Sequence, residues 1–406
     1  MTPSISDIEK ARDRIASGIV RTPSAYSQTL SEMTGADVFL KFENFQFTAS
    51  FKERGALNKL LTLDSKARTN GIIAMSAGNH AQGVAYHASR LNIPATIIMP
   101  ENTPFNKVQN TERFGAETIL TGKNFAEASQ AAHRVLKERN LTLVHPFDDE
   151  DIIAGQGTIA LEFLSAHDDI EVLVIPIGGG GLISGIAIAA KALKPEIKII
   201  GVQSELYPGM KIAIEGRGTV TGGHSVAEGI AVKDPGVLTR TIVADLVDEI
   251  LVVSEFTIED AINTLLEIEK VVVEGAGAAP LAALMQYPET FLGKKTGLVL
   301  TGGNIDTRLL ANALMRGLAR SGRISRLRIM IPDIPGMLAL VSTTVAEKGA
   351  NVLEVEHQRE FSDVTLKQAV LNLVIETQDH ESALEIVHAL NEKGLQVEIS
   401  GAAVRN

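Results

Sequence analysis

The chain has 406 residues, 45% of them hydrophobic and 21% charged, enough for two or three domains with full cores. Its formal net charge of −11 comes without a long run of one sign, which argues against nucleic acid or an anionic membrane surface as a main partner. Cysteine is absent, so disulfides, thiolate zinc sites and cysteine nucleophiles are excluded; with no signal-like start and no membrane-length apolar window, a cytoplasmic protein is expected.

A first helix is predicted from Ser6 to Ser17, with Ser6 and Glu9 as a capping box, Ile8, Ala11 and Ile15 on one face and Gly18 as its stop. Strand-like runs then alternate with helix-length segments. Gly71 to Ser76 precedes a helix beginning near Asn79, Ala95 to Met99 precedes one around Pro104 to Phe114, and Glu117 to Leu120 precedes one from Phe125 to Arg139. The rhythm continues through Glu171 to Ile177, Lys198 to Val202 and Gly297 to Leu300. This alternation implies an α/β fold with parallel sheets wrapped in helices. After about Ser325 the texture changes to strand Arg326–Ile331, helix Gly336–Lys348, strands Asn351–Glu356 and Thr365–Glu376, helix Asp379–Glu392 and strand Gln396–Ser400. That βαββαβ order is a ferredoxin-like unit able to fold alone, and the basic stretch Arg316 to Arg323 is the candidate linker.

Four segments carry chemistry. Lys52, in Ser50-Phe51-Lys52-Glu53-Arg54-Gly55, is flanked by Phe47, Ala49 and Phe51; desolvation there would lower its amine pKa, as carbonyl condensation requires. Gly178-Gly179-Gly180-Gly181 joins a β-rich run to the helix-like Leu182–Leu193. It reads either as a tight turn or as a phosphate cradle at a helix start, and neither a strict dinucleotide nor a Walker pattern fits it. Ser76-Ala77-Gly78-Asn79-His80 is another strand-to-helix junction, suited to a carboxylate or to a plain N-cap. Thr301-Gly302-Gly303-Asn304 is a third strand-end turn. Open α/β sheets bind ligands outside the carboxyl ends of their strands, so these turns and the lysine have a common meeting place.

Together these segments resemble the fold-type II pyridoxal-phosphate enzymes, the tryptophan synthase β family. Within it they closely resemble threonine dehydratases (threonine ammonia-lyases) and their serine racemase relatives. Ala154-Gly155-Gln156-Gly157-Thr158 and Glu274-Gly275-Ala276-Gly277-Ala278 add to the match, which spans roughly residues 5–320. The resemblance implies two parallel-sheet subdomains in a catalytic region 1–322, the smaller and mobile one at about 47–148. It makes Lys52 the Schiff-base lysine and α-proton base, with Phe51 beside the cofactor ring. Asn79 would bond the phenolic oxygen of pyridoxal 5′-phosphate, Gly178, Gly179, Gly180, Gly181 and Leu182 would hold its phosphate, and Thr301, where the family usually has serine, would face the pyridine nitrogen. Ser76, Ala77, Asn79 and His80 would surround the substrate carboxylate. The implied reaction is loss of water from a small hydroxy amino acid: L-threonine to 2-oxobutanoate and ammonia, and L-serine to pyruvate.

A neutral hydroxyl at Thr301 disfavours transamination. Serine racemases of this family have serine at position 77, and Ala77 cannot reprotonate the opposite face. Alternatives in the same family are a serine racemase or a hydroxyaspartate dehydratase; outside enzymology, the alternative is a catalytically silent amino-acid sensor. Some members bind a mono- or divalent cation near the cofactor loop, for which Glu205 is the candidate ligand. The family also implies a homodimer or homotetramer.

The last segment, 326–406, resembles an ACT domain through Asp333-Ile334-Pro335-Gly336-Met337-Leu338 and Gly349-Ala350-Asn351. That resemblance implies either an amino-acid effector site at Asp333, Pro335, Gly336 and Asn351 or pure dimerisation. Isoleucine and valine are the usual effectors in the family, but its long biosynthetic members carry a paired regulatory region and this chain has room for one unit.

Overall fold

The computed structural model describes residues 2–359 and 364–400. The chain divides into two compact units, 1–305 and 306–406. The division falls ahead of the expected linker, because Thr307–Arg320 is a continuous helix and only Ser321 and Gly322 turn the chain into the next strand.

The first unit holds two sheets. The larger runs in the order Ser24–Ser27, Asp37–Lys41, Lys295–Val299, Val172–Pro176, Lys198–Ser204, Glu249–Val253. Its first pair is antiparallel and the rest are parallel. The smaller runs Glu117–Leu120, Ala95–Met99, Ile72–Met75, Thr142–Leu143, all parallel. Central strands such as Val172–Pro176 are buried along their whole length, as expected where helices cover both faces of a parallel sheet. The strands Ser24–Ser27 and Asp37–Lys41 have no counterpart in the sequence reading. Ser-Ala-Tyr-Ser is a short, polar edge strand whose pairing partner, not its composition, makes it a strand.

The first helix runs Ile5–Ile15, and its capping box is Ser4 with Asp7, not Ser6 with Glu9. Starting one residue earlier places Ile5 one turn before Ile8, so it joins the apolar face that Ile8, Ala11 and Ile15 bury. The other predicted helices and strands of both units form within a few residues of their expected bounds.

Helix Glu150–Ala166 packs against helices Lys52–Thr62 and Gly181–Leu193, tying the two segments that matter most to one scaffold. The approach is close: a Cβ on Gly155 would lie 2.7 Å from the Arg54 carbonyl oxygen. Next to it, the fully buried Arg54 guanidinium donates to Glu43 (2.8 Å to each oxygen) and to Glu162 (2.7 and 2.9 Å). Lys41 completes the cluster at 2.7 Å from Glu162. Such a network is costly to break from one side, because the remaining charges stay buried. On its other flank Glu53 accepts from the Thr48 amide and bonds His87. Buried polar anchors therefore hold the residues on both sides of the Lys52 turn.

In the second unit the sheet order is Asn351–Gln358, Gln368–Glu376, Ile324–Pro332, Gln396–Ser400, all antiparallel. Helices Met337–Glu347 and His380–Glu392 pack on it through Val341, Val345, Ile386 and Leu390 against Leu327, Ile329, Leu371 and Leu373. This is the βαββαβ unit the sequence pattern describes; residues 360–363 and 401–406 of the expected domain lie outside the described residues.

Candidate active site

Three turns leave the carboxyl ends of parallel strands: residues 76–78 after Ile72–Met75, residues 177–180 after Val172–Pro176, and the turn at Thr301 after Lys295–Val299. Lys52 opens the helix Lys52–Thr62 beside them. The Phe51 amide donates to the Thr301 carbonyl at 3.0 Å, and Gly303 donates to Ala49 at 2.9 Å. Ser50 bridges to Gly302. The lysine segment is thus stitched along the Thr301 turn, with Ala49 held at φ +54°, a costly conformation for a residue with a Cβ.

The Lys52 amine donates to the Pro146 carbonyl at 2.8 Å and lies 5.1 Å from the centre of the Phe51 ring. Burial pulls its pKa from 10.5 down to about 8, against the opposing pull of Glu274. Phe47 takes no part in that desolvation. It is 63% exposed and stacks on Tyr86 at 4.5 Å.

Phe147, next to Pro146, floors the glycine loop. A Cβ on Gly179 would fall 2.2 Å from the Phe147 ring, and one on Gly181 would fall 2.9 Å from the Phe147 backbone. Gly180 has φ +100° and precedes the helix Gly181–Leu193, which has no side-chain cap. Its first N–H groups are therefore left without a side-chain cap, on a loop whose close packing against Phe147 only glycine permits. Gly178 closes the loop against Gly229, and the buried Leu182 anchors the helix in the core.

Helix Asn79–Arg90 is likewise uncapped, and the Ser76 hydroxyl turns inward to accept from the Gly78 amide at 3.2 Å. Ala77 is half-buried in the same turn. His80 is buried, with Nε2 at 2.9 Å from the Val144 carbonyl, so Nε2 carries the proton. Burial, reinforced by Lys52 and His145, pushes its pKa down to about 3, and the ring is neutral. The Asn79 amide donates to Glu274 at 2.7 Å and accepts from Asn304 at 2.8 Å. Thr301 is 2% exposed.

Glu274, Asn304, Pro146 and Phe147 belong to this site but received no role from the sequence. Glu274 and Asn304 lie inside motifs quoted for the resemblance; nothing local marks Pro146 or Phe147. The Glu205 carboxylate accepts from the Glu255 amide at 3.0 Å, at the start of helix Glu255–Thr264. Among the described residues no group of three or more His, Cys, Asp or Glu side chains could hold a metal. No described helix is long and apolar enough to cross a membrane.

Residues 15–302 match the family model described as "Pyridoxal-phosphate dependent enzyme". This chain belongs to that family. The L-threonine ammonia-lyase of Thermotoga maritima is 46% identical to it over 400 residues, 98% of this chain and all of the relative. Among solved structures, the T.th. threonine deaminase is similar at 38% identity and a TM-score of 0.71, over 75% of this chain and 99% of its own. Maize serine racemase is similar at 35% identity and 0.73, over 78% and 98%. The family's cofactor is pyridoxal phosphate, and the residues present fit it. The glycine loop is packed so closely against Phe147 that a side chain on Gly179 or Gly181 has no room, the two helix starts are uncapped, and the Lys52 amine beside the turns has its pKa lowered to about 8.

Proposed function

We infer that this protein is a pyridoxal-phosphate-dependent L-threonine ammonia-lyase, converting L-threonine to 2-oxobutanoate and ammonia and, more slowly, L-serine to pyruvate. The observation that carries this is end-to-end similarity to an L-threonine ammonia-lyase, with both units included in the match. When bound, the cofactor supplies the electron sink that acidifies the substrate α-proton.

The chain's own residues supply the rest. Lys52 would hold the cofactor through its amine, Gly178 to Leu182 its phosphate, Asn79 its phenolic oxygen and Thr301 its ring nitrogen, with Phe51 against the ring. The Lys52 amine would remove the α-proton; its lowered pKa leaves a usable neutral fraction near pH 8. The amides of Ala77, Asn79 and His80 receive the substrate carboxylate, helped by the helix start and by Ser76, which accepts from the Gly78 amide and braces the turn. A neutral His80, committed to Val144, adds no charge there and serves as a prop for the turn. Ala77 offers no proton to the face opposite Lys52, so the β-hydroxyl leaves in preference to inversion at the α-carbon.

We further propose that 326–406 is an ACT-type domain that assembles the chain into a homodimer or homotetramer. What supports this is the antiparallel βαββαβ unit with the exposed strand Asn351–Gln358 at its sheet edge. At the effector positions, Gly336 (φ +95°) opens an uncapped helix after Pro335, while the Asp333 carboxylate accepts from Arg359 at 3.1 Å and Asn351 pairs with Glu376.

The test is the partition of L-serine by the purified holoenzyme. Pyruvate should form without D-serine; D-serine formed faster than pyruvate would make the protein a racemase.

A further inference from the structure

Glu274 occupies the N-cap position of helix Gly275–Gln286, yet its side chain does not cap that helix. Its carboxylate turns instead to the Asn79 amide, at 2.7 Å. Two glycines make room for it: a Cβ on Gly302 would lie 2.6 Å from Oε1, and one on Gly229 would lie 3.3 Å away. The Glu274 backbone is fixed as well, donating to Gly302 at 2.9 Å.

The hydrogen-bond inventory around Asn79 is nearly closed. Asn304 spends its two Nδ2 hydrogens on the Thr48 carbonyl (2.7 Å) and on Asn79 Oδ1 (2.8 Å). Asn79 spends one Nδ2 hydrogen on Glu274 and has one left. Flipping the Asn79 amide would set its oxygen against the carboxylate and its NH₂ against the Asn304 NH₂. Both contacts would be lost, so the amide has one orientation.

We propose that Glu274 is a positioning residue for the cofactor, locking the Asn79 amide so that its remaining N–H is presented to the phenolic oxygen. The proposal rests on the reading of Asn79 given above. The carboxyl titrates in the working range. Burial pushes its pKa up to about 7 and Glu228 adds to the rise, while the Asn79 bond, Lys107 and Lys52 oppose it. Ionised, Glu274 is the stronger acceptor; protonated below about 7, it grips Asn79 less firmly.

The test uses the full chain loaded with pyridoxal phosphate, in variants Asn79→Ala, Glu274→Ala, Glu274→Gln and the double Asn79→Ala/Glu274→Ala. The readouts are cofactor affinity by titration of the apo-protein and the visible spectrum of the bound cofactor against pH. Asn79→Ala and Glu274→Ala should each weaken binding by about 10-fold, and the double should be no weaker than Asn79→Ala alone. Glu274→Gln keeps an acceptor and no longer titrates. It should restore affinity to within about 3-fold and abolish the spectral transition near pH 7 that the parent should show. An Asn79→Ala effect with none from Glu274→Ala, losses that multiply in the double, or a transition that persists in Glu274→Gln would overturn the proposal. A flat response to Asn79→Ala would instead remove the reading of Asn79 beneath it.

Discussion

Lys52 is held for its task by what surrounds it. Its turn is pinned by the Arg54 cluster on one side and Glu53 with His87 on the other, and its amine is desolvated against Pro146. A neutral amine is needed to capture the cofactor, and the fraction neutral rises with pH through the amine's own pKa. The rate of cofactor capture by the apo-protein should therefore rise with pH and level off above about 8; a rate still climbing toward 10.5 would mean an unperturbed lysine. Lys52→Ala should lose the visible band of the bound cofactor and at least about 10²–10⁴-fold in turnover. The sequence did mark this lysine, but for a partly mistaken reason. Phe47 points to the surface, and the desolvation comes from chain far away in sequence, which no local window contains.

At the scale of elements, the site is three strand-end turns and two uncapped helix starts. These were legible because glycine runs after β-rich segments have few other uses, and because a parallel sheet sends such turns to one edge. Pro146 and Phe147 were not legible: their part in the site exists only once the chain has folded back over the loop. The helix cap at Ser4 was misassigned because two overlapping Ser-x-x-acid patterns compete, and burial of Ile5 decides between them. The glycine cradle gives a direct check. Gly179→Ala would drive a methyl into the Phe147 ring, where a Cβ finds only 2.2 Å. Cofactor affinity, read by titration, should fall by about 10-fold or more while the circular dichroism spectrum stays native. Unchanged affinity would mean that the loop does not hold the phosphate.

For the whole molecule, the alternating α/β order and the βαββαβ tail were both readable from periodicity, whereas sheet membership and the position of the unit boundary were not. The expected linker, Arg316 to Arg323, takes in the last turn of the helix Thr307–Arg320, whose amphipathic spacing is what makes it a helix. The second unit carries the assembly proposal. Light scattering on the purified chain should give two or four times 43.4 kDa; a monomer mass would contradict it. Added isoleucine and valine should leave the rate unchanged if assembly is the unit's whole role.

The central claim is elimination of water from L-threonine. Its most direct test compares kcat/KM for L-threonine, L-serine and 3-hydroxyaspartate, following 2-oxo acid and ammonia together. The expected result is equal amounts of 2-oxobutanoate and ammonia from threonine, with serine slower by about 10–200-fold at most, the range one methyl group provides. Absence of 2-oxobutanoate, or a clear preference for 3-hydroxyaspartate, would contradict it.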